Sequence, residues 1–202
     1  MTRKRTAILI SGRGSNMEAL IEAARAPDFP AEIVLVLSNR DDAGGLAKAK
    51  AAGIPTRTIP HKGLAREDFD AQIDAALRAA RVEIVCEAGF MRIHSAGFAR
   101  AWAGRLINIH PSLLPAFKGV HVHEQALEAG VKISGCTAHF IVPELDSGPI
   151  IAQAAVPVLA DDTAETLAAR VLEQEHRIYP EALRLVAEGK VKLENGKAVF
   201  GD

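Results

Sequence analysis

"LINIHPSLLP", residues 106–115, begins as a buried strand and then stops being one. Leu106, Ile107 and Ile109 bracket Asn108, and His110 and Pro111 close the run. Alternate residues of a strand point to the same face, so Asn108 and His110 project together. Pro111 has no N–H with which to continue a ladder. An amide and an imidazole therefore stand side by side where a hydrophobic strand ends, with Pro111 and Pro115 stiffening the exit. In open α/β sheets, ligands bind beyond the carboxyl ends of strands.

The pattern upstream of this stretch is that of an α/β protein. "TAILIS" (6–11), "EIVLVLSN" (32–39) and "VEIVCEAGF" (82–90) are continuous apolar runs, as expected of strands covered on both faces. Between them, "AGGLAKAKAAG" (43–53) ends in a C-capping glycine. "REDFDAQIDAALRAA" (66–80) repeats Phe69, Ile73, Leu77 and Ala80 at helical spacing. Strands alternating with helices imply βαβ units and a mostly parallel sheet.

Downstream the pattern changes. "ISGCTAHFIV" (133–142) and "PIIAQAAVPV" (149–158) read as two strands joined like a hairpin by "PELDSG", so the sheet becomes mixed. Residues 161–189 read as a long helix with Asp162 and Glu165 at a cap-like start and Pro180 kinking or dividing it. The tail predicts a small hairpin turning at Asn195-Gly196. No repeat or linker interrupts the 202 residues, which predicts a single domain spanning 1–202.

Composition excludes several classes. With 49% hydrophobic residues the chain is globular, and a formal net charge of -1 argues against nucleic acid and anionic membrane as partners. No apolar run reaches the length of a membrane span or a signal-peptide core. Cys86 and Cys136 lie in apolar runs and read as buried free thiols. A reduced, cytoplasmic protein is expected.

Three sites carry candidate chemistry. "SGRGSN" (11–16) follows the first strand and opens a helix, a place where backbone N–H groups hold a phosphate. Plain capping competes, because Ser15 and Glu18 form an S-x-x-E capping box. A dinucleotide fingerprint fits at Gly12 and Gly14 but fails at Met17, although Arg40 is placed to face a 2′-phosphate. Asn108 and His110 together suit a carbonyl oxygen that becomes an oxyanion. Asp146, in "ELDSGP", is the candidate carboxylate that would raise the imidazole pKa; the competing reading is a turn aspartate bonded to its own backbone. "HVH" (121–123) has chelating spacing if extended, with His110 as a third ligand, but flanking glycine and helix signals favour a loop, and no metal is expected. His139 reads as a core histidine and His61 as an exposed loop residue.

The segments "LISGRGSN", "AGFMRI", "GRLINIHPSLLP", "ELDSGPII" and "QEHRIYP" occur in a characteristic order. In this the chain resembles the folate-dependent formyltransferases, and within them the phosphoribosylglycinamide formyltransferases, over nearly its whole length. The resemblance implies a Rossmann-like sheet with helices on both faces. Residues of about 1–100 would bind the ribonucleotide phosphate, and those of about 101–202 would supply catalytic and folate-binding elements. It further implies formyl transfer from 10-formyltetrahydrofolate to glycinamide ribonucleotide in purine biosynthesis, without a metal. Asn108, His110 and Asp146 would be catalytic. Gly14, Ser15 and Asn16 would hold the phosphate, and Leu172, Glu173, Gln174 and Glu175 would complete the ribonucleotide site. Arg66, Met91, Arg92, Ile93, His94, Asn108, Val142, Pro143, Glu144, Leu145 and Asp146 would bind the folate. Partners are expected to be small molecules only, and the protein a monomer or weak homodimer. Glu87 and His94 depart from the family pattern, which has an apolar residue and a leucine there. A buried Glu87 needs a partner or a proton, and the sequence names none. Formyltetrahydrofolate hydrolases share Asn, His and Asp but carry an extra N-terminal domain, and methionyl-tRNA formyltransferases are longer.

Overall fold

The computed structural model describes residues 2–201. Its elements run β1 (Lys4–Ile10), α1 (Ser15–Ala24), β2 (Ala31–Ser38), α2 (Gly44–Ala51), β3 (Thr56–Thr58), α3 (Arg66–Ala79) and β4 (Ile84–Glu87). They continue α4 (Ala96–Ala101), β5 (Leu106–His110), α5 (Val122–Glu128), β6 (Ile133–Phe140), β7 (Ile150–Pro157), α6 (Ala164–Glu188), β8 (Val191–Glu194) and β9 (Lys197–Phe200).

A seven-stranded sheet has the order β3-β2-β1-β4-β5-β6-β7. The first five strands are parallel, while β6 runs antiparallel to β5 and β7 antiparallel to β6. The mixed sheet and its antiparallel C-terminal part are as the apolar runs predict. Ile8, Ile10, Val36 and Ile107 pack under α1 and α6 on one face. Ala7, Leu9, Leu37 and Val85 pack under α3 and α4 on the other. Strand order reverses between β1 and β4, and this switch point opens a crevice beyond their carboxyl ends.

Local details differ from the sequence reading in four places. The short elements β3, α4 and α5 carry too few residues to show a periodicity. Helix α6 starts one residue later than expected: Thr163 is the N-cap and forms a reciprocal capping box with Thr166. Asp162 instead pairs with Arg170 at 2.7 Å. Pro180 does not divide α6, which runs unbroken through it. "HVH" is not all loop, since His121 caps α5 and His123 lies in its first turn. The terminal hairpin forms as expected, with Asn195 and Gly196 both at positive φ.

Candidate active site

β5 ends at His110 because Pro111 cannot extend the ladder, and the chain then folds into a tight loop. That loop is held internally. Ser112 Oγ donates to Ala116 O at 2.6 Å, Thr137 Oγ1 donates to Ser112 O at 2.7 Å, and Leu114 N donates to Thr137 Oγ1 at 3.0 Å. It brings Phe117 O to 2.9 Å from His110 Nε2. On the other side of the ring, Nδ1 stands 3.6 Å from Asp146 Oδ2. Both nitrogens of His110 thus face oxygen atoms.

Asp146 reaches this position from the β6–β7 connection with φ of 46°. It does not bond its own turn: its Oδ2 accepts from Gly119 N at 2.8 Å. Lys118 Nζ donates to Ser147 Oγ at 2.5 Å and ties the same two loops together. The return into β7 needs Gly148, where a Cβ would lie 1.6 Å from Phe140 O. Asn108 lies on the same side of the sheet as His110, and its Nδ2 approaches His139 Nε2 at 3.4 Å.

Asn108, His110 and Asp146 line one cavity of about 660 Å³, a size suited to a drug-sized ligand. His110 is 4% exposed, and its remaining surface opens into this cavity. Met91, Arg92, Ile93 and His94 form one wall, and Val142, Pro143, Glu144 and Leu145 another. Met91, Ile93 and Leu145 are exposed apolar side chains at its rim. Arg66 is the exception among the expected folate contacts: it is exposed at the start of α3 and does not line the cavity.

The loop after β1 lies next door. Gly14, at φ of 74°, is the N-cap of α1, and no side chain caps the helix. The competing Ser15–Glu18 capping box does not form, because Ser15 is already the first helical residue. Glu18 pairs instead with Lys48 Nζ at 2.7 Å. The positive end of α1 is therefore left for an anion. Asn16 Nδ2 donates to Glu175 Oε2 at 2.7 Å, joining this loop to α6. Burial pushes the Glu175 carboxyl up, and the Asn16 bond only partly offsets it. Within the turn 172–175, Glu175 is buried, Leu172 and Gln174 are half-buried and Glu173 is exposed. The dinucleotide alternative finds no support: Met17 is fully buried beneath Gly14, and Arg40 is bonded to Asp42 at 2.7 Å.

Sequence reasoning missed two parts of this site. His139 is buried, but it also lines the cavity opposite Asn108. Burial pushes its pKa down, as it does that of His123 on α5. The antiparallel register that pairs Asn108 with His139 has no local sequence signal. Glu87, left without a named partner, meets His94: Oε1 lies 2.7 Å from Nε2. His94 Nδ1 is in turn 2.7 Å from Asp70 Oδ1. Burial alone would lower the His94 pKa, but Glu87 and Asp70 outweigh it and raise it to about 9. Other departures are smaller. Cys86 and Cys136 are buried free thiols as expected. His61 is half-buried and contacts Asn39 rather than standing free in solvent. Among the described residues, no three His, Cys, Asp or Glu side chains come together as a metal-ligand set.

Comparison with known proteins decides the family. The formyl transferase family model matches residues 4–183. The chain belongs to that family. The phosphoribosylglycinamide formyltransferase of Escherichia coli K12 is 44% identical over 192 residues, covering 95% of this chain and 91% of the relative. The trifunctional purine biosynthetic protein adenosine-3 of Gallus gallus is 54% identical over 195 residues, 96% of this chain. This chain spans 19% of that longer relative's length. The crystal structure of glycinamide ribonucleotide transformylase 1 from Symbiobacterium toebii superposes with a TM-score of 0.95 at 45% identity, covering 99% and 95% of the two chains. No helix among the described residues is long and apolar enough to cross a membrane.

Proposed function

We propose that this formyltransferase moves the formyl group of 10-formyltetrahydrofolate to the amine of glycinamide ribonucleotide, as a step of purine biosynthesis. The observation that carries this reading is the convergence of Asn108, His110 and Asp146 on one cavity wall, beside the uncapped amino end of α1. In this reading Gly14, Ser15 and Asn16 hold the ribonucleotide phosphate. Glu175, aligned by Asn16, contacts the ribonucleotide from α6 together with Leu172, Glu173 and Gln174. Met91–His94 and Val142–Asp146 enclose the folate.

The chemistry needs no covalent enzyme intermediate, because the nucleophile arrives as an amine. The amine nitrogen bonds to the formyl carbon, and the carbonyl oxygen becomes an oxyanion. Asn108 Nδ2 and the imidazolium of His110 stabilise that charge as directed donors. The carbon–N10 bond then breaks, and one proton passes from the attacking amine to the leaving N10. His110 is the acid–base group nearest this path, and the carboxylate of Asp146 stabilises positive charge on its ring. The reading takes residues 1–202 as one domain. It also takes the protein as cytoplasmic, acting on small molecules as a monomer or weak homodimer.

The test is an assay with 10-formyltetrahydrofolate in the presence and absence of glycinamide ribonucleotide. Formyl loss only with the ribonucleotide is expected. Loss without it makes the protein a hydrolase, and no loss in either mixture removes the reading.

A further inference from the structure

Glu87 ends β4 and is the Cα partner of Asn108 on β5. Neighbouring strands lie about 4.8 Å apart, so the two side chains stand beside each other on one face. Both line the same cavity. Glu87 is 6% exposed, and a carboxylate so buried needs a partner. It has one in His94, whose ring is stacked between Phe90 and Phe98 at centroid distances of 5.5 and 4.1 Å.

The hydrogen-bonding capacity of this cluster is unevenly used. Asp70 is satisfied at both oxygens, by His94 Nδ1 at 2.7 Å and by Ser95 N at 2.6 Å. Glu87 is not: its Oε1 is enclosed beside His94 Nε2 at 2.7 Å without the alignment of a hydrogen bond, and no donor among the described residues bonds its second oxygen, Oε2. Two carboxyl groups flank one imidazole. The carboxylate with spare acceptor capacity is the one facing the cavity. A ligand that seats there must bring N–H donors.

We propose that Glu87, steadied by His94, is a specificity-determining residue that accepts hydrogen bonds from N–H groups of the folate's reduced pterin. The inference rests on the folate reading above and deepens it. A tetrahydropterin offers such donors at N3, N5, N8 and the 2-amino group, and charge-assisted bonds to a carboxylate are the strong kind. A cluster that only stiffened the loop carrying His94 would treat all pterin-like ligands alike.

That difference sets the experiment. Dissociation constants of tetrahydrofolate and of analogues with one donor removed (5-deaza, 8-deaza, 2-desamino) are measured by calorimetry. The proteins are wild type, Glu87→Leu and Glu87→Gln. Both variants leave the neutral His94–Asp70 pair intact, and the isosteric Gln serves if Leu fails to fold. In wild type, at least one analogue is expected to bind roughly 10-fold or more weakly than the parent. In the variants that penalty shrinks to about threefold or less, while the parent itself binds more weakly. Equal penalties in wild type and variants, or no penalty in wild type, overturn the proposal while leaving the formyl-transfer reading in place. Failure of wild type to bind tetrahydrofolate at all overturns both.

Discussion

His110 meets three acceptor-bearing or basic neighbours that the chain gathers from separate segments: Phe117 O, Asp146 and, across Asn108, His139. Replacing it with alanine removes the acid–base group and one oxyanion donor together. His110→Ala is expected to lower kcat by roughly 10²–10⁴. Unchanged turnover of the purified, folded variant would remove the assignment. Asp146→Asn keeps the shape and an oxygen for Gly119 N but deletes the charge beside Nδ1. It should therefore lower kcat with little change in melting temperature. A large melting shift with normal kcat would make Asp146 a loop-holding residue only. Asn108 and His110 were legible because two residues of one strand fix their own geometry. Asp146 was legible as a polar residue in a turn between apolar runs. The Asp70–His94–Glu87 cluster was not, because its members come from α3, a loop and β4, and only the folded sheet brings them together.

Elements place these residues. The uncapped start of α1 sits against α2, where Gly45 N donates to Gly12 O at 3.0 Å. A Cβ on Gly45 would lie 2.6 Å from Ile10 Cδ1 and 3.2 Å from both Gly12 O and Gly14 Cα. Gly45→Ala must push α2 away from the loop after β1. The expected result is a higher KM for the ribonucleotide, with the KM for the folate nearly unchanged. Equal rises in both constants would mean that the loop is not a separate phosphate site. Helix α6 anchors the opposite side, where Tyr179 Oη donates to Glu87 O at 2.7 Å, with Ile107 O a second acceptor 3.1 Å away. Long elements were legible from their period and from continuous apolar runs. The six-residue α4 and three-residue β3 were not, because they complete the layers without the length to show a pattern. The start of α1 was left open between capping and anion binding, because the S-x-x-E spacing of Ser15 and Glu18 does not say whether Ser15 stands before the helix or inside it. The left-handed Gly14 decides between them.

At the scale of the whole molecule, four histidines whose pKa values the fold shifts divide into two sets that act oppositely on stability. Burial holds His123, His139 and His176 below the ordinary histidine range. Their unfolded forms bind more protons in acid, so stability rises as pH climbs toward the unfolded value of about 6.5. His94 is the reverse. Its folded pKa is raised to about 9 by Glu87 and Asp70 against the pull of burial. Between about 6.5 and 9 the folded state therefore holds the extra proton, and stability falls as pH rises through that window. The full alkaline loss is on the order of 3 kcal/mol, since one pKa unit corresponds to about 1.4 kcal/mol. Urea unfolding across this range should give a maximum near pH 6.5 and a decline toward pH 9. In Glu87→Leu the largest source of the upward shift is gone, so the alkaline decline should shrink while the acid limb stays. A wild-type profile that is flat or rising above neutrality would mean that His94 is neutral in the folded protein. The buried pair with Glu87 would then not be ionic.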